Sequence, residues 1–176
     1  MARLARICFP WLPQHVIQRG NNRQVCFASD EDYSAYAHWL HEYSKKYHVF
    51  IHTWVFMTNH VHLLMTPKTK EDISKLMQSL GRRYVRYFNR EYKRTGTLWE
   101  GRFKSSVVQT EYYFLQCQRY IELNPVKAGM VEDPAEYSWS SYQSHDLGRK
   151  VVMLSPHAEY LKLDKNEKAR QEAYRY

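Results

Sequence analysis

Cysteine is scarce in this chain. Its 176 residues hold only Cys8, Cys26 and Cys117, an odd number with no CxxC pair. A disulfide framework and a cysteine-based zinc site are excluded, and a reducing, cytosolic compartment is expected. Gly/Ser linkers, internal repeats and low-complexity tracts are missing too, which argues for one ordinary domain rather than an array. No apolar run approaches the ~20 residues a membrane span needs, so no membrane protein is expected. The opening stretch, MARLARICFPWLPQHV, has arginines but neither a long apolar core nor a small-residue cleavage site. It reads as mature sequence rather than a signal peptide. Acidic side chains are the scarcer charge: 18 Asp and Glu face 26 Lys and Arg, for a net +8 and a pI near 9.3.

What is present is globular and basic. Apolar residues make up 44% and charged residues 25%, close to ordinary domains and far from a disordered chain. Excess positive charge points to nucleic acid or an anionic surface, although a basic domain with neither partner fits the same number. There are 27 aromatic residues, 15 of them tyrosine. Rings beside cations suit single-stranded nucleic acid, because bases stack while Lys and Arg follow phosphates. Most rings nonetheless belong to any core of this size.

Hydropathy patterning predicts the elements. His15–Arg19 alternates as a strand, and Gly20-Asn21-Asn22-Arg23 is a turn signal. Ser29-Asp30-Glu31-Asp32 opens a helix that runs to about Tyr47 and carries Tyr36, Leu40 and Tyr43 on one face. Val49–Met57 and His60–Thr66 are strands, joined tightly enough through Thr58-Asn59 to be an antiparallel hairpin. A long helix follows from Glu71 to about Lys93, with Ile73, Leu76, Met77, Leu80, Tyr84 and Phe88 at helical spacing. Its latter half carries Arg82, Arg83, Arg86 and Arg90. Ser105–Gln109 is a strand, Thr110 caps a helix through Leu123, and Pro125 stops it. Beyond Gly129 the pattern is irregular, with a short helix from Asn166. Hairpins mixed with helices imply an α+β sandwich, not a doubly wound sheet.

The chemistry centres on His60-Val61-His62. Alternate residues of a strand share a face, so both imidazoles project together, the start of a divalent metal site or a pair of half-buried polar histidines. On the helix after Thr110, Tyr120 and Asn124 are i and i+4 and share a face. Asn124 offers a carbonyl oxygen. Tyr120 offers a phenol that can attack a metal-bound phosphate, though packing accounts for most tyrosines in so tyrosine-rich a chain. The cation Arg119 is adjacent but points off that face, and no base for the phenol proton is identifiable.

MTNHVHLL at residues 57–64, followed by RYIELNPVKAGMV at 119–131, resembles the HUH (His-hydrophobe-His) single-tyrosine transposase superfamily. The nearer resemblance is to its REP-associated, IS200-like branch. Further segments carry it: Gln18-Arg19-Gly20-Asn21-Asn22-Arg23, then Gly96-Thr97-Leu98-Trp99-Glu100-Gly101-Arg102-Phe103, then Trp139-Ser140-Ser141-Tyr142. The similarity spans roughly residues 10–145. It implies a ferredoxin-like antiparallel sheet with helices packed on one face. It implies His60, His62 and Asn124 as ligands of Mg²⁺ or Mn²⁺, with Tyr120 as nucleophile. The reaction would cut single-stranded hairpin DNA, leave a 5′-phosphotyrosine and release a 3′-OH. Thr58 stands where relatives carry proline, which bears on the local turn and not on the ligands.

The catalytic domain would be residues 1–147, with 148–176 a tail that packs on it or covers the site. DNA-binding candidates are Arg82, Arg83, Arg86 and Arg90 for phosphates, Trp99, Arg102, Phe103 and Lys104 for unpaired bases, and Arg19, Asn21, Asn22 and Arg23 beyond the first strand. Each has a plain alternative as a solvated helix face or a core ring. The partner expected is single-stranded hairpin DNA, with a monomer or homodimer and a bacterial, nucleoid-associated location. Two other readings stay open: a non-catalytic structured-DNA-binding protein of the same fold, and a metal-dependent phosphohydrolase that activates water.

Overall fold

The computed structural model describes residues 5–109 and 111–175. Its elements are β1 (Gln14–Arg19), α1 (Asp30–Lys46), β2 (Val49–Phe56), β3 (His60–Pro67), α2 (Asp72–Glu91), β4 (Lys104–Val107), α3 (Glu111–Glu122), α4 (Asn124–Lys127), α5 (Tyr142–Leu147), α6 (Ala158–Leu161) and α7 (Glu167–Tyr174). The strands lie in the order β2-β3-β1-β4, every neighbouring pair antiparallel. This order with βαββαβ connectivity is the ferredoxin-like arrangement.

Strand alternation divides the side chains between two faces. Val16, Val61, Leu63 and Met65 join Tyr36 and Leu40 of α1 and Leu76, Leu80, Tyr84 and Phe88 of α2 in the larger core. The two long helices therefore share one face of the sheet, as expected. The opposite face is covered by α3, whose Phe114 and Ile121 pack with Val55, Leu64 and Tyr137. That face carries the histidines.

Buried polar groups fix the helix ends. Asp32 is fully buried and accepts from the backbone N–H of Ala28 at 2.7 Å, from Tyr87 Oη at 2.8 Å and from Tyr92 Oη at 2.7 Å. One carboxylate thus caps α1 and ties it to the end of α2. Asp72 does the same for α2, accepting from the Thr69 N–H at 2.6 Å. Beside the ladder break between Ile51 and Thr53, His52 bonds the Ser155 carbonyl through Nδ1 and Thr66 Oγ1 through Nε2, both at 2.7 Å.

Two expectations need correction, while Thr110, named as a helix cap, falls outside the described residues. Pro125 does not stop the helix but opens α4 after a one-residue break, because the first turn of a helix has no need of the proline's missing N–H. The region beyond Gly129 holds two short helices besides α7, and only α7 was legible, through its Asn166 cap (Ala169 N–H to Oδ1, 3.1 Å).

The later helices brace α3 from behind. Glu122 is fully buried and accepts from Ser141 Oγ at 2.5 Å, His145 Nδ1 at 2.6 Å and Tyr174 Oη at 2.6 Å. Arg119 Nε donates to the Tyr174 carbonyl at 3.0 Å. Glu122 is two residues beyond Tyr120, which on a helix turns its side chain to the far side, so the Glu122 contacts lie opposite Tyr120.

Candidate active site

His60 and His62 project from β3 toward α3, and β1 adds a third imidazole, His15. The His62 and His60 rings are 5.1 Å apart between centroids, edge to face, and the His62 and His15 rings are stacked at 5.1 Å. His62 Nδ1 and His15 Nε2 share a hydrogen bond of 2.9 Å. His60 Nδ1 bonds Asn59 Oδ1 at 2.7 Å; an amide oxygen only accepts, so the proton sits on Nδ1 and the His60 Nε2 lone pair is open. Burial pushes His62 down to about 3, helped by the neighbouring His15, His60 and Arg19, and pushes His15 down to about 4. Burial, then Arg19, lowers His60 as well. All three rings are neutral at pH 7, the form that ligates metal.

Tyr120 stands on α3 above these rings. Its ring meets His62 edge-on at 6.0 Å and His15 at 6.1 Å, and it is 44% exposed. Lys127 Nζ lies 4.4 Å from the Tyr120 ring centroid. It is a cation against the Tyr120 ring that the sequence had not identified; α4 delivers it two turns beyond Tyr120. Asn124 is half-buried, and its Nδ2 donates to the Tyr120 carbonyl at 3.0 Å and the Ile121 carbonyl at 3.3 Å. Its Oδ1 is therefore the atom with ligand capacity.

The residues present suit a hard-to-borderline divalent ion. Two neutral imidazoles and an amide oxygen form a donor set closer to Mn²⁺ than to Mg²⁺, which favours oxygen donors throughout. Among the described residues no three His, Cys, Asp or Glu side chains converge on a metal position, and Asn124 Oδ1 is the amide oxygen expected beside the two imidazoles.

The turn before β3 is locked to the turn after β1. The N–H groups of Gly20 and Cys26 donate to the carbonyls of Asn59 and Thr58, both at 2.8 Å, and Met57 N–H closes onto the His60 carbonyl at 2.8 Å. Gly20 has an ordinary φ of −63°, but a Cβ there would lie 2.4 Å from the Gln24 carbonyl oxygen. Space, not backbone conformation, requires glycine. The Gly20 turn also bonds residues 98–100: Asn21 N–H to Leu98 O at 2.9 Å, and Glu100 N–H to Arg19 O at 2.7 Å. Two of the sequence segments that carried the resemblance thus interlock beside the histidines.

The basic side chains collect on another surface. One stripe of α2 (Ser74, Lys75, Gln78, Gly81, Arg82, Val85, Arg86) faces residues 96–103 across two successive clefts of about 460 and 530 Å³. Arg6 and Arg102 line the first, and Arg82 and Arg86 rim the second. Arg90 continues the exposed stripe. Arg83 departs from it, bonding Glu42 Oε1 at 3.2 Å and sitting 5.0 Å over the Trp39 ring. Arg19, Asn22, Arg23, Arg102 and Lys104 are exposed and Asn21 half-buried.

Trp99 and Phe103 are corrected. Only 7% and 8% exposed, Trp99 packs against Tyr36 and Tyr84, and Phe103 lies under the Arg6 guanidinium at 3.7 Å. Their faces are already occupied and do not offer a stacking platform. Sequence reasoning missed His15, Lys127, Arg6 and Lys75. His15 was inside a strand already assigned, but nothing local says which strand lies beside β3.

No curated protein matches this sequence. Among solved structures, one described as a REP-associated tyrosine transposase bound to a REP hairpin superposes with a TM-score of 0.72 at 18% identity, covering 89% of this chain and 93% of its own. A putative transposase from Deinococcus radiodurans gives a TM-score of 0.48 at 22% identity over 69% of this chain and 96% of its own. The first likeness establishes the shared fold over nearly the whole chain. The family model for IS200-like transposases matches residues 10–124, a span that includes β1, the paired histidines, the Arg82–Arg90 helix, Tyr120 and Asn124. Sequence segments, strand order and the family match agree, and this chain belongs to the IS200-like transposases, a family of DNA-cleaving enzymes.

Proposed function

We propose that this protein is a metal-dependent HUH endonuclease and strand transferase of the REP-associated branch, acting on single-stranded hairpin DNA through a 5′-phosphotyrosine. The observation that carries the reading is the convergence of Tyr120 from α3 with His60 and His62 from β3, the Tyr120 ring lying 6.0 Å from that of His62. His60, His62 and Asn124 would hold Mg²⁺ or Mn²⁺, which when bound supplies Lewis-acid charge at the scissile phosphate. The remaining steps belong to the chain. His15 and Asn59 orient the two imidazoles. Lys127 lies over the Tyr120 ring and places a cation at the reacting group, where the phosphate's negative charge arrives. Tyr120 Oη attacks phosphorus and gives up its proton, the P–O3′ bond breaks, and the departing 3′ oxygen takes up a proton. Attack of a 3′-OH on the tyrosyl phosphate reverses these steps and rejoins the strand.

The α2 groove supplies the electrostatics for a hairpin. Lys75, Arg82 and Arg86 follow one helix stripe and Arg102 faces them across the groove, a spacing suited to successive phosphates. The histidines and the tyrosine meet within one chain.

Wild-type protein and Tyr120→Phe, incubated with labelled hairpin DNA from the gene's own flanks in Mn²⁺ or EDTA, test the reading. A denaturing gel is expected to show a Mn²⁺-dependent band at protein-plus-DNA mass that is lost in the variant while hairpin binding stays. Binding with no adduct in the wild type supports a non-catalytic binder instead. Cleavage with no adduct supports a water-activating phosphohydrolase.

A further inference from the structure

Beside Tyr120 lies a cleft of about 450 Å³ between α3 and β4 with the segment that follows it. His15 and Tyr120 form one end of it, Tyr113, Gln116 and Cys117 of α3 one side, and Gln109 the other. The α2 groove is lined by Lys75, Arg82, Arg86 and Arg102, yet no Lys, Arg, Asp or Glu lines this cleft. It is a poor place for a phosphate. Its two tyrosine rings are part-exposed, at 60% and 44%, and give faces for stacking. Gln109 and Gln116 are exposed and bring amides, each a donor beside an acceptor. Burial pushes the Cys117 thiol up to about 11, so that wall stays uncharged.

We infer that this cleft seats one unpaired DNA base next to the phosphate presented to Tyr120, and that Gln116 reads it as adenine. The inference rests on the nuclease reading above and assigns it a specificity pocket. Three features support it. The cleft has room for a base with part of its sugar. The position makes occupancy and attack geometry inseparable, because Tyr120 is both wall and nucleophile. The chemistry favours a purine for stacking area, and adenine sets a donor beside an acceptor on both its N6/N7 and N6/N1 edges, the pattern a glutamine amide matches in two bonds. Guanine presents two acceptors on its O6/N7 edge and matches the amide only through N1–H and O6, so adenine has two productive orientations to guanine's one.

The test uses the full chain in EDTA, so that base seating is read without cleavage. Hairpin oligonucleotides from the gene's flanks carry 2-aminopurine at each unpaired position of the single-stranded foot in turn. One position is expected to lose its emission on binding, through stacking in the cleft, and Tyr113→Ala is expected to restore it. With natural bases at that position, adenine is expected to bind about twofold better than guanine, two matching edges against one, a ratio that Gln116→Ala collapses toward one. Gln116 is exposed and outside the core, so the variant folds. No quenched position on a hairpin that binds overturns the inference. So does an adenine preference that survives Gln116→Ala. The adduct assay in Mn²⁺ is read separately: a quenched base and a Gln116-dependent preference without any adduct keep the pocket and remove the nuclease reading.

Discussion

Tyr174→Phe deletes one oxygen atom from the brace behind the tyrosine helix, and its cost is calculable. Tyr174 Oη is the donor to Glu122 Oε2 at 2.6 Å, while Ser141 and His145 serve the other carboxylate oxygen, Oε1. Burial beside Glu122 holds the Tyr174 phenol well above its ordinary value, so it remains protonated and donating. Phenylalanine keeps the ring and opens no cavity. What is lost is a hydrogen bond to a buried acidic group, about 2 kcal/mol. For a domain of this size that lowers Tm by about 4–8 °C. Differential scanning calorimetry of the two proteins at pH 7, with urea midpoints as a second measure, reads it. Tyr174→Ala adds the loss of a fully buried ring, roughly 3 kcal/mol more. A Tyr174→Phe protein melting within about 1 °C of wild type would refute the reasoning, since Oε2 would then have another donor.

Gly20→Ala is expected to destabilise by about 1–3 kcal/mol in urea, because its Cβ would meet a backbone carbonyl and the Cys26 sulfur at 2.4 and 2.6 Å. Gly81→Ala, in the interior of α2 with nothing within 4 Å of the new Cβ, is expected to stabilise by about 0.5–1 kcal/mol in the same assay. His52 is pushed by burial down to about 4, below its ordinary 6.5. The unfolded chain therefore takes up the proton first, and stability is lost as pH falls from 6.5 to about 4, amounting to about 2 kcal/mol between pH 7 and pH 5. His52→Gln is expected to flatten that portion of the urea-midpoint profile. Arg82→Ala with Arg86→Ala is expected to lower the salt slope of hairpin binding by about 2, whereas Arg83→Ala, whose side chain is tied to Glu42, leaves it unchanged.

The sheet and its two long helices were legible because their periods are clean. Ile73 to Phe88 repeats at helical spacing and is buried at each of those positions. His60-Val61-His62 was readable because a strand puts alternate residues on one face. What stayed hidden depends on which strands and helices become neighbours. Nothing around His15 distinguishes it from a surface strand residue; its place beside His62 follows from β1 lying next to β3. Lys127 was obscured by Pro125, which reads as a stop signal but here starts the short helix that brings the amine to the phenol. Trp99 and Phe103 looked like a stacking platform because composition cannot tell a ring on a loop from a ring plugging the core. The helices between Gly129 and Asn166 are one-turn or two-turn pieces, too short for periodicity to show.

The strand order has a consequence for how the chain reaches its native state. The β2–β3 hairpin closes locally, and α1 and α2 each form beside it in sequence. β1 is different: it is an inner strand, yet its partners are residues 60–67 and 104–107. It cannot be paired on both edges until β4 has been made, and closing so long a loop is entropically costly before its contacts form. His15, Arg19 and the Gly20 turn all ride on this strand. The His15 ring needs only the β1–β3 pairing, whereas docking of the 96–103 segment on the Gly20 turn waits for the chain beyond α2, and a chain halted before β4 joins keeps one edge of β1 unpaired and lacks one wall of the groove.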